Sequence, residues 1–222
     1  MNDAIKIEAT IASRRPWRGA LFFAVSFMLL VASPVGAIAA GQGHGGSASS
    51  QKYNYAWIVP FDGKSTNVIL WDRHSEGFLR HVAPARRVAL IGFSARPLIE
   101  TLKTIMGGPP QPVIVVDGRF VALAADRKHS AIEKGFIGID MVQDKSLVGV
   151  VHYIYNSQTV TSEPMLYLTS KTYATYDEVP DQIKTFVSNW LLRENAAPTV
   201  VRFAGSKGVS DITLQFAGTR AP

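Results

Sequence analysis

The sequence has no cysteine among its 222 residues. That absence excludes a disulfide scaffold, a Cys-ligated zinc centre, an iron–sulfur cluster, a thiol nucleophile and a lipid anchor on an N-terminal cysteine. Charge is sparse as well: 18% of residues are charged, and a formal net charge of +6 is too small to name a partner. The apolar share of 47% excludes a wholly disordered chain. Common enzyme signatures are missing. Gly92-Phe93-Ser94-Ala95-Arg96 lacks the second glycine of a nucleophile elbow. There is no phosphate-cradling glycine loop, paired-histidine zinc motif or calcium loop. The pattern leans away from an enzyme and implies no cofactor and no metal.

Long apolar runs are also scarce, and the one present reads as an address. Residues 19–32 carry no charge and follow a basic stretch with Lys6, Arg14, Arg15 and Arg18. The 14 residues of that run would make a helix of roughly 21 Å, short of a bilayer core of about 30 Å. Pro34 and Gly36 break the run, and Ala37-Ile38-Ala39 has the small-x-small pattern of a signal-peptidase site. Residues 1–39 therefore read as a cleaved signal peptide that sends the protein to the periplasm or outside the cell. Arg14-Arg15 leaves the twin-arginine route open beside the general one. Loss of four basic and two acidic side chains with the leader leaves a net charge of +4.

Residues 40–52, rich in Gly and Ser, have little to bury and read as a flexible linker. Residues 53–222 read as a single α+β domain, a mainly antiparallel sheet of about ten short strands covered by two amphipathic helices. Strands are expected at 53–59, 66–71, 86–93, 113–116, 119–123, 136–142, 147–155, 165–170, 199–204 and 211–216. Asp117-Gly118 predicts a two-residue type I′ hairpin, and Gln143-Asp144-Lys145-Ser146 a second turn. Helices are expected at 97–106 and 181–194. The second has an apolar stripe of Ile183, Phe186, Val187, Trp190 and Leu191. The Gly/Pro-rich stretch 107–112 is a candidate subdomain break. Asp62-Gly63 ahead of His74-Ser75, and Asp117-Gly118 ahead of His129-Ser130, share a spacing that reads as coincidence rather than a duplicated unit.

Three features carry possible chemistry. The first is charge placement: residues 73–96 hold Arg73, Arg80, Arg86, Arg87 and Arg96 against the single acid Glu76. Guanidinium forks suit phosphate and carboxylate oxygens. In an exported protein the partners would be anionic lipid, lipopolysaccharide, a cell-wall polymer or an envelope protein, with no nucleic acid. Arg73, Arg80, Arg86 and Arg87 are the expected contacts. The second is aromatic alternation, with Tyr53, Tyr55 and Trp57 on one face of an expected strand and Tyr153 and Tyr155 on another. Tyr55 and Trp57 are the aromatic binding candidates. The third is Asp72-Arg73-His74 with His81, joined by Asp126 and His129 in a wider version, which could orient a general base or help hold a divalent ion. On that alternative the protein is an exported hydrolase with Asp72, His74 and His81 as catalytic residues. A further alternative is a structural partner acting through a free sheet edge.

Overall fold

Seven strands form one sheet whose spatial order repeats the chain order. They are β3 (Ile114–Val116), β4 (Phe120–Asp126), β5 (Lys134–Asp140), β6 (Lys145–Tyr155), β7 (Thr159–Thr169), β8 (Val200–Gly205) and β9 (Gly208–Ile212). The structure is a computed structural model that describes residues 52–130, 132–155 and 159–214. The expected leader, residues 1–39, and all but the last residue of the expected linker lie outside the described residues. Every neighbouring pair is antiparallel except β7 and β8. Parallel neighbours need a long crossover, and here the connection contains α4 (Asp181–Arg193). The α+β class holds, with a mostly antiparallel sheet.

Side-chain alternation divides the core into two layers. One face of the sheet presents Val121, Leu123, Ile137, Ile139, Val148 and Val150 to α2 (Ser75–Val82) and α3 (Leu98–Ile105). The other presents Phe136, Leu147, Val151, Leu166, Leu168 and Phe203 to α4 and to Tyr173 and Val179. All seven residues of β5 are buried, since helices cover both its faces. Two glycines of β5 permit that. A Cβ on Gly135 would strike Met106 beyond α3, and one on Gly138 would come within 2.8 Å of Ile183 in α4. The helices therefore cover opposite faces of the sheet.

Several expected elements differ. Residues 53–59 are not a strand, so Tyr53, Tyr55 and Trp57 share no strand face; the segment turns into a 3-10 helix at Val59–Phe61. Residues 67–70 are the short α1 (Asn67–Leu70) rather than part of a strand. The expected strand 86–93 shrinks to β1 (Arg87–Val88), paired with β2 (Arg96–Pro97) in a two-stranded ribbon. Helix α2 was not anticipated: eight residues with only Phe78, Leu79 and Val82 buried give too few turns to reveal a period. Asp117 and Gly118 do take positive φ, at 53° and 60°. Pairing closes at Val116 and Phe120, however, so Arg119 joins the loop. The second turn comes earlier than expected because Asp140 pairs with Lys145. Strand β9 begins at Gly208, and the expected strand at 211–216 runs past the described residues. Segment 107–112 is tied to the sheet through an Ala125–Pro110 bridge and the Gln111 N–H donating to Ala124 O at 2.9 Å. His74-Ser75 starts a helix whereas His129-Ser130 lies in a loop, so the two spaced pairs do not mark like structures.

Candidate functional site

The arginines separate once the chain folds. Arg80 lies four residues from Glu76 on α2 and pairs with it at 2.6 Å, while Lys103 reaches the same carboxylate at 3.3 Å. Arg73 is exposed between α1 and α2, beside Asp72. Arg86 and Arg87 take another course. The β1–β2 ribbon carries them over the far end of the sheet, above β6, β7 and β8. There they meet Arg202, which lies outside the arginine-rich stretch of residues 73–96.

This meeting follows from register. Tyr167 of β7 and Arg202 of β8 are direct partners, so their side chains stand next to each other on one face. The Arg86 guanidinium donates to the Tyr167 hydroxyl at 3.1 Å. The Arg87 guanidinium donates to the Ala95 carbonyl at 2.7 Å across the ribbon. Arg202 pairs with Asp211, its cross-strand partner on β9, at 2.9 Å. Together with Met165, Ile154 and the ribbon backbone, Arg87, Tyr167 and Arg202 line a groove of about 340 Å³. Two guanidiniums, those of Arg87 and Arg202, thus line the groove, and Arg86 reaches its Tyr167 from beside it.

His152 forms part of the same floor. It sits at an irregularity where the β6–β7 register shifts. The Ile154 N–H donates to its Nδ1 at 3.3 Å. Burial, with the nearby Arg202 charge adding to it, pushes its pKa down to about 4. The imidazole is therefore neutral at pH 7, with its proton on Nε2.

The remaining candidates form two separate local arrangements. Asp72 Oδ1 accepts from the His74 N–H at 2.8 Å and contacts His74 Nδ1 at 2.6 Å, a turn that starts α2. His81 lies about two helical turns away, roughly 10 Å along the axis. It meets Asp144 rather than Asp72: its Nε2 is 2.6 Å from Asp144 Oδ1. The same carboxylate accepts from the Tyr55 hydroxyl at 2.7 Å and from the Tyr53 N–H at 3.2 Å. Burial alone would raise the Asp144 carboxyl, but the bonds from His81, Tyr55 and Tyr53 outweigh it and hold the pKa below the ordinary range. Tyr53 stacks on His81 with ring centres 4.5 Å apart. The cluster fastens the N-terminal segment to α2 and to the β5–β6 turn.

Tyr55 is 4% exposed and Trp57 packs against Phe78 and His74, so both belong to the interior lining. Asp126 pairs with Lys134 at 3.2 Å, while His129 stands exposed in the following loop. Among the described residues no three His, Asp or Glu side chains gather as a metal site. None of the described helices is long and apolar enough to cross a membrane. Arg202 alternates with the buried Val201 and Phe203, which is legible as an outward-pointing position. Its proximity to Arg87 is not legible, because 115 positions separate the two. Comparison with protein-family models, with curated proteins and with solved structures finds no match to this chain.

Proposed function

We propose that this chain is an exported, non-enzymatic binding protein. On this reading it holds an anionic group of an envelope component or of another protein in the groove between the β1–β2 ribbon and strands β6–β9. The observation that supports it is the convergence of Arg86, Arg87 and Arg202 around Tyr167 on one open sheet face. Guanidinium forks grip phosphate and carboxylate oxygens with two parallel bonds, and a partly desolvated floor strengthens each bond. The ligand class is an anionic lipid headgroup, lipopolysaccharide, a cell-wall polymer or an acidic protein face. Export supplies these partners and removes nucleic acid. Arg73 and Arg80 do not line this groove, and on this reading they would act through long-range attraction rather than contact.

Binding of the purified protein to anionic vesicles and to a soluble polyanion tests the reading, with salt varied in both. Affinity should fall as salt rises, and the double variant Arg87→Gln with Arg202→Gln should weaken it by ~10-fold or more, as expected for two lost charge-assisted bonds. Salt-independent binding, or a double variant that binds as the wild type does, would end the proposal.

A hydrolase remains the second reading, and the observation that favours it is His81 held by Asp144, the base-and-orienter half of a catalytic triad. It ranks below the first because no described serine or threonine hydroxyl bonds His81 or His74. Hydrolysis of generic ester or phosphoester substrates that disappears in His81→Ala would reverse the order.

A further inference from the structure

A second cavity lies on the other face of the sheet and at its other end. Its floor is Ile114 of β3, Ala122 and Ala124 of β4 and Phe136 of β5. One wall is α4, through Phe186, Asn189 and Arg193, which recur at helical spacing along a single side. The volume is about 390 Å³, within the usual range for small-ligand sites, roughly 300–1,000 Å³. The space has a clear origin. Gly138 draws α4 down onto β5, while β4 presents alanines where a larger side chain would close the gap to β3.

One end of this apolar groove is polar and tightly organised. Arg193 donates to Gln111 Oε1 at 3.1 Å, and the Gln111 amide nitrogen donates to Glu194 Oε1. The other Glu194 oxygen meets Lys134 Nζ at 2.6 Å, and Lys134 also pairs with Asp126. Lys134 is 6% exposed, at the start of the fully buried β5. Asp126 Oδ1 is buried with no hydrogen-bond partner among the described residues. Charges so placed are expensive to desolvate, and apolar residues of like volume commonly stabilise as well or better. What the chain does accomplish is to lock Gln111, and through it the Arg193 guanidinium, at the end of the groove. Gln111 has both amide atoms engaged, whereas Arg193 has no carboxylate partner among the described residues.

The geometry points to a binding site for a small amphiphilic acid, with its apolar body on the Ala122–Ala124 floor and its carboxylate on Arg193. Gln111 is a positioning residue. The site is separate from the arginine groove, so the Arg87→Gln, Arg202→Gln variant should leave it intact.

Octanoate and 1-octanol are suitable probes, since they share an apolar body and differ in the head. Titration of the full chain, followed by chemical-shift changes of the Asn189 and Gln111 side-chain amides, reads both affinities. The wild type should bind octanoate about tenfold more tightly than 1-octanol, the margin of a charge-assisted bond. Arg193→Gln should abolish that margin while leaving octanol unchanged. Ala124→Leu should remove both ligands by filling the floor. Asn189→Trp, on the exposed rim, should do the same and provides a variant whose folding is not in question. Equal binding of the two probes by the wild type, no binding of octanoate, or octanoate binding that survives Asn189→Trp would each overturn the proposal.

Discussion

His152 shows how a single buried side chain sets a pH response. Its pKa falls from 6.5 to about 4 on folding, because burial and the Arg202 charge both oppose protonation. A depressed folded value means the stability is fully present above pH 6.5 and is lost as the pH falls toward 4. At about 1.4 kcal/mol per pKa unit, the loss approaches 3 kcal/mol. Denaturant unfolding at a series of pH values should show this decline in the wild type, and His152→Leu should flatten it. A decline of equal size in the variant would assign the effect elsewhere. Asp140 acts in a lower window. It is fully buried and accepts from Arg119 at 2.7 Å and from the Val142 and Gln143 N–H groups at 3.0 Å. Burial would raise its pKa, but these donors together depress it. Its stabilisation is therefore present above the usual carboxylate range and is lost as the pH falls through its depressed folded value. The clasp at Asp144 is more modest. Tyr55→Phe removes one hydrogen bond to a charged acceptor and should lower stability by about 1.5–3 kcal/mol, measured as a shift in the denaturant midpoint. At this scale the sequence reading found Arg86, Arg87, Tyr55 and His81 as residues of interest. It could not find Arg202 or Asp144, since the partner that gives each its role is distant in the chain.

Among the elements, α4 was the most legible. The stripe Ile183, Phe186, Val187, Trp190 and Leu191 is the set that the structure buries. A 13-residue helix shows its period over more than three turns, and no other local signal competes. Trp190 stacks on Phe136 with ring centres 5.3 Å apart, and its indole N–H is buried without a hydrogen-bond partner among the described residues. Trp190→Asp should prevent folding, because a charge would replace the centre of the seam. Trp190→Phe should be mild, under about 1.5 kcal/mol by thermal melting, since the lost ring area is offset by removal of an orphaned donor. Helix α2 was not legible. Its eight residues alternate too briefly for a period, and its start depends on the Asp72 turn. Without that helix, Asp72, His74 and His81 read as one Asp–His group on their closeness in the sequence alone. The helix instead sends His81 toward Asp144 and leaves His74 with its local partner.

Among the described residues, the seven-stranded sheet carries a different groove on each face. The ribbon leaves an arginine-lined groove over β6–β9, and α4 leaves an apolar one over β3 and β4. Both openings occur where a cover stops short of a sheet end, as a seven-stranded sheet is wider than one helix. Stability should be graded accordingly. Strand β5 has neighbours on both sides and helices on both faces, whereas β9 is an edge of the described sheet with four of its five residues exposed. Native-state hydrogen exchange should find the slowest amides in β5 and the fastest strand amides in β9. Equal protection across the sheet would contradict this ordering. The opposite edge, β3, is not bare: the Val115 N–H donates to Asp62 Oδ1 at 2.8 Å, and Gly63 and Lys64 bond the Val113 backbone.

Composition and period alone determined the α+β class, the Asp117-Gly118 turn, the α3 and α4 helices and the local excess of arginine. Each of these is written within a dozen or so consecutive residues, where backbone preference and side-chain spacing act directly. Tertiary structure decided which arginines meet, which histidine finds a carboxylate, and where the sheet is left uncovered. Those outcomes depend on strand register and on the docking of short helices, and burial energy sums over residues that no local window contains.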